Sequence, residues 1–226
     1  MTYDWQPLLL TFKLASVTTF ILCLIGIPFA WWLSQTKMRF KPVVETLVSM
    51  PLVLPPSVLG FYLLLAFSPT HWFGGWVEHI AGLKLAFSFQ GLVLASVIFS
   101  FPFLVHPVQS GFQNLAPSLS DAAYTLGKNR WQTFLHVLLP NIKPSLIAGI
   151  VLAFAHTIGE FGVVLMIGGN MPGQTRVASI AIYDEVEALN YDTANFYALM
   201  LFGVCFTILF MVYLLNKKLL MRVGGT

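Results

Sequence analysis

Charge is what this sequence has least of. Of 226 residues, 12 are Lys or Arg and 9 are Asp or Glu, so 9% of the chain is charged, against roughly 25% in an ordinary globular protein. A soluble fold of this size could not cover its surface with so few charges while 57% of its residues are hydrophobic and its mean hydropathy is +0.79. That combination excludes a free-standing soluble enzyme, a nucleic-acid reader and a disordered segment. Cysteine is nearly absent too. Cys23 and Cys205 each lie in an apolar run, with no CxxC and no Cys/His ligand spacing. They read as two small apolar helix residues, so no disulfide framework and no metal site is expected.

What is present is a set of long uncharged stretches: 14–36, 46–77, 85–120, 144–159 with 161–175, and 193–216. A helix needs roughly 20 apolar residues to cross a bilayer core of about 30 Å. The stretches trim to five spans near 14–34, 46–67, 88–110, 144–167 and 196–216. The first is too long for the apolar core of a signal peptide and lacks a basic leader, so it is read as an uncleaved span. The expected fold class is therefore all-α, a polytopic membrane protein whose 226 residues form one transmembrane domain.

The few charges fix the orientation. One side receives Lys37, Arg39, Lys41, Lys128, Arg130, Lys143, Lys217, Lys218 and Arg222, and the other only Lys13, Lys84 and Arg176. The positive-inside rule then places the C-terminus in the cytoplasm and the N-terminus outside, with Asp4, Glu78, Asp184, Glu185, Glu187 and Asp192 external. Trp31 with Trp32, and Trp72 with Trp76, suit the aromatic belts at the two interfaces. Five spans cannot divide into two equal inverted repeats. They also make a thin wall around a hydrophilic path, so a two-fold homodimer with the path on its axis is expected.

The loop 113–143 between the third and fourth spans carries the most information. Ser118-Leu119-Ser120-Asp121 has the form of a capping box with Ser118 as N-cap. A short helix through Ala122, Ala123, Tyr124 and Leu126 is expected to stop at Gly127, and a second helical stretch from Asn129 through Val137 to end at Pro140. Asp121-Ala122-Ala123, three residues, Gly127, nine residues, Val137, one residue, Leu139-Pro140 resembles the EAA signature of membrane subunits of bacterial ABC importers, with Asp121 for Glu and Val137 for Ile. The resemblance implies that Asp121, Ala122, Ala123 and Gly127, with Val137, Leu139 and Pro140 behind them, form a coupling helix that docks into a cleft of an ATPase subunit. Gly127-Lys128 is followed by Asn129, without the earlier glycine or the following Ser/Thr of a P-loop. No cofactor is therefore expected in this chain, with ATP and Mg²⁺ on the partner.

Gly159-Glu160-Phe161-Gly162, Ile167-Gly168-Gly169-Asn170 and Pro172-Gly173-x-Thr175 resemble the sulfate and molybdate permease branch, closest to molybdate permeases. That resemblance implies two copies of an ABC ATPase subunit, an external (periplasmic) oxyanion-binding protein and a place in the bacterial inner membrane. No nucleic-acid partner and no catalytic residue is expected.

Polar residues inside the spans are candidates for the path or for pinning helices together. Glu160 is the only acidic residue in a span, and His156 precedes it by four residues, so a His156–Glu160 hydrogen bond is available on a continuous helix. The pair reads either as a proton relay or as a structural pin. A carboxylate beside a dianion's path would repel it by about 4 kcal/mol at 4 Å and an effective dielectric near 20, which favours the pin. Pro51, Pro55 and Pro56 break the second span, so that a fresh half-helix near Ser57 points its positive end to mid-membrane, either as a transient oxyanion contact or as a packing kink. Ser100 and His106, beside Pro102 and Pro107, allow the same two readings. Outside, Val177, Ile180, Tyr183, Val186 and Leu189 recur at spacing three and predict an amphipathic helix at the membrane surface, available to a soluble receptor.

Overall fold

A computed structural model describes residues 4–223 of the chain, with side chains described as far as Met211 and at Leu214. Lys217, Lys218 and Arg222, used above for orientation, fall outside the described side chains. The described chain is helical throughout: α1 (Gln6–Gln35), α2 (Lys41–Val53), α3 (Pro56–Phe67), α4 (Trp72–Ala81), α5 (Phe89–Gln113) and α6 (Pro117–Thr125). There follow α7 (Arg130–Asn141), α8 (Lys143–Gly159), α9 (Gly162–Gly168), α10 (Ala178–Glu187) and α11 (Tyr191–Val223).

Three helices are long and apolar enough to cross a membrane: α1, α5 and the Tyr191–Met211 part of α11. α1 contains the expected first span, α5 matches the third to within one residue at its start, and α11 as a whole contains the fifth. The other two are not straight. α2 and α3 meet at 111°, and α7 and α8 at 81°; counting each bent pair as one span gives five. The α2–α3 bend has a local cause. Leu54 is extended (φ −70°, ψ 136°) and Pro55 follows it in the same region (φ −54°, ψ 135°), because a proline ring disfavours the helical conformation in the residue before it. Pro51, expected to share in the break, instead lies inside α2. The fourth span departs from expectation: α8 stops at Gly159, Glu160 is extended (φ −73°, ψ 135°), and α9 restarts at Gly162. The interval 144–167 is thus two helices rather than one.

α5 is the central post. Its N-terminus is capped by the Ser88 hydroxyl, which accepts from the Gly91 amide, and most of its length is buried. It packs on α1 on one side and α8 on the other. Glycines set the approach. A Cβ on Gly26 of α1 would lie 2.5 Å from Leu104 Cδ2, and one on Gly149 of α8 would lie 3.0 Å from the Leu104 carbonyl. Small residues let membrane helices come this close where no hydrophobic driving force separates helix from lipid. Leu104 itself is fully buried between them. α3 and α9, the two short half-span helices, pack on each other through Gly60 and Gly162 in the same manner.

Candidate functional site

The 113–143 segment, expected to hold a coupling helix, is built differently from the capping-box expectation, though its first helix ends as expected. α6 starts at Pro117 with Ala116 as N-cap and no side-chain cap, so Ser118 lies inside the first turn instead of capping it. Proline suits the first helical position because its missing N–H would be unpaired there anyway. At the other end Gly127 takes φ +75°, its amide donates to the Tyr124 carbonyl, and the Lys128 amide reaches back to the Ala123 carbonyl at 3.0 Å. This left-handed closure is the one for which glycine is suited. Ala123 is buried, while Asp121, Ala122, Tyr124 and Leu126 are exposed, Leu126 by 80%. α6 thus presents one small residue between larger exposed neighbours.

The true capping box lies further on. The Gln132 amide donates to Asn129 Oδ1 (2.8 Å) and the Asn129 amide to Gln132 Oε1 (3.1 Å), opening α7. The Asn-x-x-Gln spacing was the available signal. Pro140 does not end the second helix, which runs to Asn141. The turn before it, Phe134–Leu138, widens to a π-helix, which relieves the crowding of the proline ring against the preceding turn. Asn141 Nδ2 donates to the Val137 carbonyl at 2.6 Å, and Leu139 is half-buried beside buried Leu138. Aromatic rings tie this segment to the membrane helices: Phe134 lies 4.5 Å from Trp31 at the end of α1, 5.2 Å from Trp131 and 6.0 Å from Phe112 of α5, centroid to centroid.

Of the intramembrane candidates, two are brought together. Ser100, fully buried on α5, bonds to His156 Nδ1 (3.0 Å) and to the Thr157 hydroxyl (2.9 Å) on α8, and the His156 ring lies against Phe103 and Phe99. Ser57 stays apart, exposed at the start of α3. Pro55 and Pro56 carry no N–H, so the first donors there are the Ser57 amide and hydroxyl; the Val58 amide already bonds the Pro55 carbonyl.

The His156–Glu160 hydrogen bond does not form. α8 has ended by Glu160, so the two side chains no longer share a helix face, and His156 is engaged by Ser100 instead. Glu160 is 5% exposed and neither carboxylate oxygen has a hydrogen-bond partner. What is pinned is its main chain, whose carbonyl accepts from the Ser179 hydroxyl of α10 at 2.6 Å. A buried carboxylate without a partner is costly in a bilayer, and an amide of the same shape carries less of that cost. Glu160→Gln is therefore expected to keep uptake at its unaltered rate, with the same pH profile. Uptake that becomes independent of pH in this variant would reinstate the proton relay.

His106, a sequence candidate, belongs to a second polar cluster whose other members are not among the sequence candidates. Gln109 Nε2 donates to Glu45 Oε1 (2.7 Å), Lys41 stands 3.9 Å from the same oxygen, and His106 Nε2 bonds the Ser49 hydroxyl at 3.1 Å. Glu45, His106, Gln109, Ser110 and Gln113 line a cavity of about 340 Å³ between α2 and α5. The spacing of His106, Gln109 and Gln113 along one face of an otherwise apolar helix was the sign of it.

On the opposite side, the Gly168–Thr175 turn is closed by Thr175, whose hydroxyl donates to the Gly168 carbonyl (2.6 Å) and accepts from the Met171 amide. Arg176 pairs with Asp184 and Glu185, and Asn170 donates to Asp184. α10 is the expected amphipathic helix, but it ends at Glu187, so Leu189 (φ +59°) lies beyond it. Part of its apolar face is covered by protein: Ile180 and Ala181 are fully buried, while Val186 remains exposed. The Ala178 amide donates to the Thr11 hydroxyl of α1. No group of three or more His, Cys, Asp or Glu that could hold a metal ion occurs among the described residues.

Residues 23–221 match the family described as "Binding-protein-dependent transport system inner membrane component". The chain is 44% identical over 211 residues to the molybdenum transport system permease protein ModB of Azotobacter vinelandii, covering 93% of each. It is 32% identical to the sulfate transport system permease protein CysT of Escherichia coli K12, covering 88% of this chain and 72% of that one. The fold is that of a chain in the inward-facing MetNI methionine ABC transporter, with a TM-score of 0.72, 17% identity and 94% of each chain covered.

Proposed function

Since the chain belongs to the binding-protein-dependent transport system inner membrane components, and so is the permease subunit of a bacterial ABC importer that moves an oxyanion, we propose that its cargo is molybdate. One observation carries this choice: identity is 44% over 93% of the chain to a molybdenum permease, against 32% over 88% to a sulfate permease. The subunit is a transporter without chemistry of its own, working with an ATPase subunit and an extracytoplasmic binding protein. Two copies form the path on their common axis, each docked on one ATPase, with the N-terminus periplasmic and the C-terminus cytoplasmic.

The mechanism is alternating access. Closure of the ATPases on ATP pulls α6 through the exposed face around Asp121 and Ala122. Gly127 and the Asn129–Gln132 box hold α6 to α7 at a fixed angle, and Phe134 carries the displacement into Trp31 and Phe112, hence into α1 and α5. Val137, Leu139 and Pro140 set the wide turn that seats Phe134. Glu160 holds α10 to the break between α8 and α9 through its carbonyl, and Ser100–His156 fastens α5 to α8. The anion meets only weak donors, the Ser57 amide and hydroxyl at the positive end of α3. Weak contact suits a conduit that must release its cargo, and retention is left to the binding protein.

The test is uptake by proteoliposomes holding this subunit, its ATPase and its binding protein. Molybdate uptake should require ATP, ignore a protonophore and be poorly displaced by sulfate. Preferential sulfate uptake would assign the sulfate, thiosulfate or tungstate reading instead. Uptake without ATP that collapses with a protonophore would make the chain a secondary transporter.

A further inference from the structure

A pocket of about 620 Å³ opens where the end of α1 meets the start of α7, lined by Trp31, Trp32, Lys37, Arg130 and Trp131. It includes none of Ser57, Ser100 and His156, and no residue of α6 lines it. Three features define what it would take. Lys37 and Arg130 are both exposed, and neither is matched by an acid: the ion pairs among the described residues use Lys41, Lys84 and Arg176. Trp32 and Trp131 are 44% and 55% exposed, leaving flat apolar surface beside the two cations. The pocket stands at the end of the first span, where indole rings sit at the headgroup level of a bilayer. Its volume is in the range of small-molecule sites, wide enough for a headgroup with its glycerol.

A phosphate anion bearing an apolar extension satisfies all three. A free oxyanion would use the cations and leave the indoles unused, and an uncharged lipid would leave Lys37 and Arg130 unmatched. We propose that this pocket binds the phosphate headgroup of an anionic phospholipid from the inner leaflet, the guanidinium of Arg130 and the ammonium of Lys37 taking the phosphate and the tryptophans flanking the glycerol. Basic pockets of this kind on the cytoplasmic side hold anionic headgroups in membrane proteins. Trp31 and Trp131 also belong to the ring cluster around Phe134, so the bound lipid braces the joint through which α7 moves α1.

Placement in the inner leaflet rests on the orientation proposed above, but lipid retention requires no transport, so the two fail separately. The intact transporter with its ATPase subunits is purified in mild detergent and equilibrated with mixed micelles of phosphatidylglycerol and phosphatidylcholine, and the retained lipid is measured. Phosphatidylglycerol should be retained selectively. Each basic residue near an anionic surface contributes about fivefold in affinity, so Lys37→Gln with Arg130→Gln should lower retention about 25-fold, while Lys37→Arg with Arg130→Lys should keep most of it. Equal retention of both lipids, or unchanged retention in the double glutamine variant, overturns the proposal. So does release of the lipid by millimolar inorganic phosphate, which would make this a site for a free anion. If the glutamine variant does not assemble, lipid selectivity and phosphate competition in the unaltered complex decide.

Discussion

Ala122→Trp is expected to abolish ATP-driven uptake while the membrane helices assemble normally. Ala122 is exposed on α6, and its methyl group lies between exposed Asp121 and the larger Tyr124 and Leu126. A partner surface that reads this helix must approach its backbone at the small residue. An indole there holds the partner away across the middle of the contact. A central clash or truncation in an interface costs about 3 kcal/mol, hence about 100-fold in affinity. Uptake and co-purification of the ATPase should fall together. Ala123→Trp makes the informative contrast: Ala123 is 3% exposed, so its enlargement should damage the packing of α6 in this chain and lower the yield of folded protein. An Ala122→Trp transporter with unaltered uptake would remove α6 from the coupling role.

Gly60→Leu is expected to prevent recovery of folded protein from the membrane. α3 and α9 are short half-span helices, and their hold on each other depends on close approach. A Cβ at Gly60 would stand 2.9 Å from Met166 Cβ and 3.2 Å from Val163 Cα, and one at Gly162 would stand 2.7 Å from Pro56 Cβ. Overpacking costs about 1–3 kcal/mol even where side chains can adjust, and here backbone lies in the way. Gly60→Ala should give a smaller loss of stability, read as a lower midpoint in denaturing detergent. Gly203 of α11 supplies the control, since nothing lies within 4 Å of its added Cβ. Gly203→Leu should fold like the unaltered chain. Equal behaviour of the two leucine variants would show that the α3–α9 approach is not limiting.

The bilayer makes some of this architecture readable in advance and conceals the rest. Span number, the C-terminal end of α1 and the extent of α5 follow from run length, because hydrocarbon thickness fixes how many apolar residues a helix needs. The start of α1 does not, since the helix begins at Gln6 and runs through Lys13, where the uncharged stretch stops. The break at Leu54–Pro55 is written in the prolines. The break at Glu160 has no such mark: nothing in Gly159-Glu160-Phe161 forbids a helix, and tertiary packing of α9 on α3 and the Ser179–Glu160 bond hold it extended. The i, i+4 pairing of His156 with Glu160 failed for that reason, and the actual partner, Ser100, is 56 positions away in sequence. Gly127 is legible because a left-handed turn names its residue, whereas Ser118 is not the cap because Pro117 offers an equally good first helical position, which moves the cap two residues earlier to Ala116. Nothing in the sequence marks a partner for Glu45, and only the packing of α2 on α5 brings it to Gln109.

The seating of Leu104 between Gly26 and Gly149 bears on how the molecule can change shape. The Leu104 side chain fills the space that a Cβ on Gly26 would take, and its carbonyl the space that a Cβ on Gly149 would take, and interiors packed this closely transmit strain without absorbing it. α1, α5 and α8 therefore travel as one stiff beam. The helical hydrogen bonding is interrupted at Leu54–Pro55 and Glu160–Phe161, one at the start of α3 and the other at the start of α9. A pull delivered at Trp31 and Phe112 would therefore tilt the beam as a whole and take α9 with it, since that short helix is packed on α5.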